Sequence, residues 1–131
     1  MIPLSLEELA ALCPGRLDAA PWAEEVTGVQ VDSRLIEEGD LFLAVAGGED
    51  FIRHAFARGA AATLVPEDAF SGIAALGSAV RGRSSARVVG ITGSTGKTST
   101  KDILAAMCRP HAKTVAAEGG HNNEIGLPLT I

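Results

Sequence analysis

Tyrosine is absent, tryptophan occurs once, and aromatic residues make up only 4% of the 131-residue sequence. Base-stacking platforms are built from aromatic rings, so single-stranded nucleic-acid binding has little to rest on. A basic surplus is missing too: 16 acidic against 11 basic residues leave a formal net charge of −5. That is the wrong sign for nucleic acid or for a polybasic membrane-surface module. No apolar run approaches the roughly 18 residues that span a bilayer, so no membrane insertion is expected. Met1-Ile2-Pro3-Leu4-Ser5 has no basic stretch leading into an apolar core, which speaks against a signal peptide. Two cysteines, Cys13 and Cys108, are too few for a disulfide framework or a zinc site. They fit a reducing, cytoplasmic setting as small apolar side chains. The 47% apolar and 21% charged content is that of an ordinary folded chain.

What is present reads as α/β. Ser5 and Glu8 form a capping box, flanked by Leu4 and Leu9 at the staple positions. Leu6, Leu9, Ala10 and Cys13 then share a helix face that Pro14-Gly15 ends. Val26 to Val31 alternates like a half-buried strand and runs into the polar turn Asp32-Ser33-Arg34. After a turn at Gly39-Asp40, the run Leu41 to Ala46 suits a strand covered on both faces. Gly47-Gly48 breaks it. Ile52, Ala55, Phe56 and Gly59 mark a helix, and Ala62 to Val65, closed by Pro66, the next strand. This is the order of a βαβ unit. A further helix is expected within Asp68 to Val80, and Gly82-Arg83-Ser84-Ser85 is the candidate boundary. The chain is thus divided into a small N-terminal α/β domain, residues 1–83, and residues 84–131. In the second part an apolar strand (Arg87 to Thr92) leads into a Gly-rich turn. A helix with Thr100, Ile103, Leu104, Met107 and Cys108 on one face follows, then a strand at Lys113 to Ala116. So short a unit looks like the opening of a larger parallel-sheet domain, and the chain is expected to be a piece of a longer product.

The sharpest motif is Gly93-Ser94-Thr95-Gly96-Lys97-Thr98, between a predicted strand and a predicted helix. Glycines permit the tight turn, and the backbone amides and positive helix end attract a polyphosphate. Lys97 would reach the β- and γ-phosphates and the Thr98 hydroxyl would bind Mg²⁺. An incidental Gly-rich turn is the bland alternative, and it requires a demanding coincidence. Downstream, Gly119-Gly120-His121-Asn122-Asn123-Glu124 follows the next strand. In a parallel sheet such loops converge on the ligand. Glu124 could reach the Mg²⁺, and Asn122 and Asn123 could donate to a carboxylate or phosphate. For Asp32, Ser33 and Arg34 two readings stay open: donors to a bound anion, or a capped turn after a strand. His54 and His111 have no partner pattern and read as structural or surface residues, and Trp22 as a packing anchor.

Together these stretches resemble the Mur ligase family, which builds the peptide stem of cell-wall precursors. Asp32-Ser33-Arg34 with Glu38-Gly39-Asp40-Leu41-Phe42 looks like the family's uridine-nucleotide domain. Gly59-Ala60-Ala61-Ala62-Thr63-Leu64-Val65 looks like its next strand entry. Gly90 to Asp102 matches its ATP loop, whose short glycine spacing is the family form. Asn122-Asn123-Glu124-Ile125-Gly126-Leu127-Pro128-Leu129-Thr130 is most similar to the member that adds D-alanyl-D-alanine to UDP-N-acetylmuramoyl-tripeptide. The resemblance runs from about Val29 to Ile131. It differs in two places: Gly47-Gly48-Glu49 leads straight into Asp50-Phe51-Ile52 where the family has a longer loop with Asp-Gly-His, and Gly120 stands where an Asn is usual.

The resemblance implies an ATP- and Mg²⁺-dependent ligase of peptidoglycan synthesis acting in the cytoplasm through an acyl phosphate. It assigns Gly93, Ser94, Thr95, Gly96, Lys97, Thr98 and Ser99 to ATP, and Thr98 and Glu124 to the metal. Lys97 and Glu124 are the catalytic candidates, and Asp32, Ser33, Arg34, Asn122 and Asn123 the substrate side. The isolated chain is expected to be inactive by itself. The alternatives are a non-catalytic UDP-sugar or nucleotide-binding module, the ligase that adds the third peptide residue, or an unrelated phosphate-loop protein. A GTPase would need Asp-x-x-Gly and Asn-Lys-x-Asp, which these residues lack.

Overall fold

A computed structural model describes residues 1–117. Ser5, in a short strand β1 (Leu4–Ser5), caps α1 (Leu6–Leu12). Its Oγ accepts from the Glu8 amide at 3.2 Å and the Glu8 carboxylate accepts from the Ser5 amide at 3.0 Å. Both orphan donors are satisfied reciprocally, as the sequence pattern required. β1 pairs antiparallel with β3 (Glu25–Val26).

The main sheet holds β2 (Gly15–Ala19), β4 (Gly28–Gln30), β5 (Asp40–Leu43) and β6 (Ala62–Pro66) in the order β2-β6-β5-β4. β4, β5 and β6 are parallel, and β2 joins β6 antiparallel. Helix α2 (Ile52–Ala57) connects β5 to its parallel neighbour β6, so the anticipated βαβ unit is present. Alternation along β5 explains the layering. Leu41 and Leu43 join Leu9, Leu64, Ile73 and Val80 in one buried cluster, with α1 and α3 (Ala69–Arg83). Phe42 points to the other cluster with Ile36, Ala55 and Ala60. A central strand covered on both faces is what the unbroken run from Leu41 predicted.

Several expectations are corrected. The strand expected over Val26 to Val31 is two strands, β3 and β4, in different sheets. β5 stops at Leu43, short of the expected Ala46. β2 had no sequence signal, because its residues are exposed apart from the half-buried Leu17. A Cβ on Gly15 would lie 2.2 Å from the Val65 carbonyl oxygen, so only glycine allows the two backbones to approach there. α3 continues through Gly82-Arg83, with Asp68 capping its start, so the break begins at Ser84. Trp22 is 57% exposed and anchors no core.

Beyond α3 the only regular element among the described residues is α4 (Lys97–Cys108). The strands expected over Arg87 to Thr92 and Lys113 to Ala116 are not formed. Val88, Val89 and Val115 are exposed. Strand geometry is held by ladder partners on a neighbouring chain segment, and none of the described residues pairs with these stretches. The apolar face of α4 is likewise uncovered: Ala105 is buried, while Ile103 and Met107 are exposed.

Candidate functional site

Two places gather the candidate residues. The first is a cleft of about 640 Å³ walled by Val31, Ser33, Ala46, Phe51 and His54. The parallel pair β4 and β5 builds it, since both strands end at its floor. β4 delivers the chain to Asp32, which caps a single 3₁₀ turn, Ser33–Leu35. The Asp32 Oδ1 accepts from the Arg34 amide and from Arg34 Nε, both at 2.9 Å, and Oδ2 accepts from Arg34 Nη2 at 2.6 Å. Hydrogen bonding from the Arg34 side chain, then from its amide, holds the Asp32 carboxyl down at about 2. The same carboxylate raises Arg34 above its ordinary value. The guanidinium fork is therefore fixed on one edge by Asp32, and its side chain remains 81% exposed. Arg34 stands at the cleft mouth as a permanent, oriented cation.

Ser33 faces inward and is 6% exposed. Its Oγ lies 3.0 Å from Nδ1 of His54, on α2. Opposite, Ala46 and Gly47 have φ of 50° and 85°. Ala46 is the one non-glycine residue with positive φ among the described residues, a strained conformation. It turns the chain sharply after β5 and opens the cleft between that turn and Ser33. Phe51 presents an exposed ring at the rim.

The sequence singled out Asp32, Ser33 and Arg34, and the structure brings all three to this cleft. It adds His54, Phe51 and Ala46. His54 had been read as a residue without a partner. Only the fold brings it to Ser33, from 21 positions away. No sequence spacing signals that contact.

The second place is the bend before α4. Gly93 and Gly96 have φ of 151° and 76°. A Cβ at Gly96 would meet nothing within 4 Å, so conformation and not space demands glycine there. Gly96 caps α4 without any side-chain hydrogen bond. The first intrahelical bond runs from the Thr100 amide to the Gly96 carbonyl at 2.9 Å. The amides of Lys97, Thr98 and Ser99 precede it and have no carbonyl to reach within the helix. Lys97 folds back over the bend and donates from Nζ to the Gly93 carbonyl at 2.5 Å. The bend is thus closed around the lysine, with amides, helix end and ammonium on one short segment. Ser94, Thr95, Thr98 and Ser99 are exposed around it.

Among the described residues no group of three or more His, Cys, Asp and Glu is placed to hold a metal ion. The exposed Thr98 hydroxyl at the start of α4 is a hard oxygen donor of the kind that Mg²⁺ takes alongside phosphate oxygens and water. Asn122, Asn123 and Glu124 lie outside the described residues, as do Gly119, Gly120 and His121.

Residues 91–131 match the family model of the Mur ligase middle domain. UDP-N-acetylmuramoyl-tripeptide--D-alanyl-D-alanine ligases of Bacillus subtilis strain 168 and Escherichia coli K12 are each 34% identical and align with all of this chain. The chain covers 33% and 32% of those proteins. A crystal structure of MurF from Acinetobacter baumannii superposes with a TM-score of 0.76 at 29% identity, over 98% of this chain and 32% of that one. Along its whole length the chain is similar to members of the Mur ligase family. A further Mur ligase structure, from Thermotoga maritima in complex with ADP, superposes with a TM-score of 0.62 at 33% identity. It covers 79% of this chain and 28% of that one. The fold is accordingly one shared with Mur ligase structures, and the chain spans about a third of the length of these curated relatives.

Proposed function

We propose that this chain supplies the UDP-sugar side and the ATP loop of a ligase that joins D-alanyl-D-alanine to UDP-N-acetylmuramoyl-tripeptide in peptidoglycan precursor synthesis. Residues 1–83 serve the nucleotide-sugar and residues 84–131 open the ATP-binding domain, and the enzyme works in the cytoplasm. One observation carries the reading: a glycine bend closed over Lys97 at the start of α4, in a chain that aligns along its whole length with such ligases.

In this reaction the γ-phosphoryl group of ATP passes to the terminal carboxylate of the tripeptide, giving an acyl phosphate. The amine of D-alanyl-D-alanine attacks its carbonyl carbon, and phosphate leaves. Two anions must meet, so the chemistry is mainly charge management. Lys97 exchanges the Gly93 carbonyl for phosphate oxygens, and the amides of Lys97, Thr98 and Ser99 hold them at the helix end. Mg²⁺, where bound, neutralises the triphosphate, with Thr98 and Glu124 as its protein ligands. Asn122 and Asn123 hold the substrate side. In the cleft, Ser33 and Arg34 bind the diphosphate of the sugar nucleotide, and the Phe51 ring packs on the uracil.

Equilibrium binding of ATP·Mg and of the UDP-linked tripeptide to this chain tests the proposal. Saturable binding of both, with ATP affinity lowered about 10–100-fold in Lys97→Ala, is the expected result. Binding of the UDP-sugar alone would instead favour a non-catalytic module.

A further inference from the structure

We infer that His54 is a diphosphate-recognition residue that works through Ser33, making sugar-nucleotide binding proton-linked. The inference rests on placing the UDP-sugar in the cleft, as proposed above. His54 and Ser33 are a designed-looking pair only in geometry: Nδ1 and Oγ lie 3.0 Å apart, and Ser33 is buried beside an open cleft that both residues line. A hydroxyl has one proton to give. When Nδ1 carries no proton, the Ser33 hydroxyl donates to it and turns only lone pairs toward the cleft. When the ring is protonated, Nδ1–H donates to Oγ instead. The hydroxyl proton is then free for a diphosphate oxygen, and the ring adds a positive charge beside Arg34. The neutral Nδ1–H tautomer also frees that hydroxyl, but only the protonated ring adds a charge as well, so an anion in the cleft selects it.

Charged groups reach this region from several elements. Asp32 and Arg34 line the same cleft as His54. Glu49 and Asp50 lie on the turn Gly48–Phe51, which packs against α2. Arg53 and Arg58 are on α2 and its C-terminal cap, and β6 contributes no titratable group. Among these residue types only an imidazole ordinarily changes charge between about pH 5 and 8.

The probe is UDP-N-acetylglucosamine, whose diphosphate is esterified at both ends and does not itself titrate near neutrality. Calorimetric titration of this chain at pH 5.5, 7.0 and 8.5, in buffers of different ionisation enthalpy, reads affinity and proton uptake together. The wild type is expected to bind about tenfold more tightly at pH 5.5 than at pH 8.5, taking up a fraction of a proton. His54→Gln keeps an N–H for Ser33 but cannot titrate, so its affinity becomes flat with pH and its proton uptake vanishes. Ser33→Ala is expected to weaken binding and flatten the profile. Thermal melts of both variants, unchanged from wild type, separate this from unfolding. Binding that is flat with pH in the wild type, or an unchanged profile in His54→Gln, overturns the role of His54 and leaves the cleft assignment standing. No binding of the probe at any pH, by a folded chain, overturns both.

Discussion

Replacing Gly28 by alanine tests how the cleft is held in place. A Cβ at Gly28 would lie 2.0 Å from Asp40 Oδ1 and 3.0 Å from its Cγ, where ordinary contact begins at 3.4 Å. Asp40 cannot step aside freely. It is 7% exposed, and its Oδ2 accepts from the Glu37 amide at 3.0 Å. Moving the carboxylate forfeits a hydrogen bond to a charged group, about 1.5–3 kcal/mol, and overpacking adds about 1–3 kcal/mol. β4 is an edge strand and can yield by a few tenths of an ångström, so the net cost is set at about 2–4 kcal/mol. At roughly 5 °C per kcal/mol for a small domain, Gly28→Ala should lower Tm by about 10–20 °C. Asp40→Ala alone should cost about 1.5–3 kcal/mol. The double variant should be little worse than Asp40→Ala, because the colliding oxygen is gone. Urea unfolding followed by circular dichroism gives all three values, and the coupling should be about 2 kcal/mol or more. Additive single effects would refute the reasoning. Because β4 runs directly into Asp32, Gly28→Ala should also weaken UDP-N-acetylglucosamine binding beyond its effect on stability.

Three more outcomes follow from the same geometry. Lys97→Ala should reduce ATP·Mg affinity about 10–100-fold, the worth of a charged hydrogen bond, while leaving the melting temperature unchanged, since the hydrogen bond that its side chain makes among the described residues is to Gly93 in its own loop. Gly96→Ala should cost about 1–2 kcal/mol of loop conformation, read as about 5–30-fold weaker ATP binding, with Gly96→Asn milder. Burial, with repulsion from Glu37, raises the Asp40 carboxyl above its ordinary 3.8. The folded chain then binds more protons than the unfolded one just above pH 3.8, so this group's contribution falls as pH rises through that window and is constant above it. Asp40→Asn keeps an oxygen for the Glu37 amide, so urea titrations at pH 4.5 and 7 should find that fall removed and no loss of stability at pH 7.

What could be read from the residues alone follows the range of the forces involved. The cap of α1 is a contact between Ser5 and Glu8, three positions apart, so its pattern and its structure coincide. The β5–α2–β6 unit was equally legible, since its periodicity changes at Gly47-Gly48 and again before Ala62. β2 was not, because Gly15 to Ala19 has almost no buried face. It exists because its backbone pairs with β6, nearly fifty residues away. The continuous strand expected from Val26 failed for a related reason: alternation specifies extended backbone, but not which sheet each half joins.

The same distinction separates the two sites. A phosphate loop needs a left-handed turn, a run of unpaired amides and a lysine, all supplied within Gly93 to Ser99, so a seven-residue stretch states its chemistry almost completely. The cleft is assembled from three distant pieces: the turn after β4, the strained Ala46 after β5, and the face of α2. Asp32-Ser33-Arg34 therefore looked equally like a capped turn, and it is one: Asp32 caps it and fixes Arg34. The donor reading is compatible with the same hydrogen bonds, because the cap that forms the turn also fixes the guanidinium. The functional reading draws its extra support from His54 against Ser33, a contact that the turn itself does not need for folding. A residue whose partner is superfluous to the local structure but sits at the wall of a cleft is where substitution should alter binding before stability, and His54→Gln is that substitution.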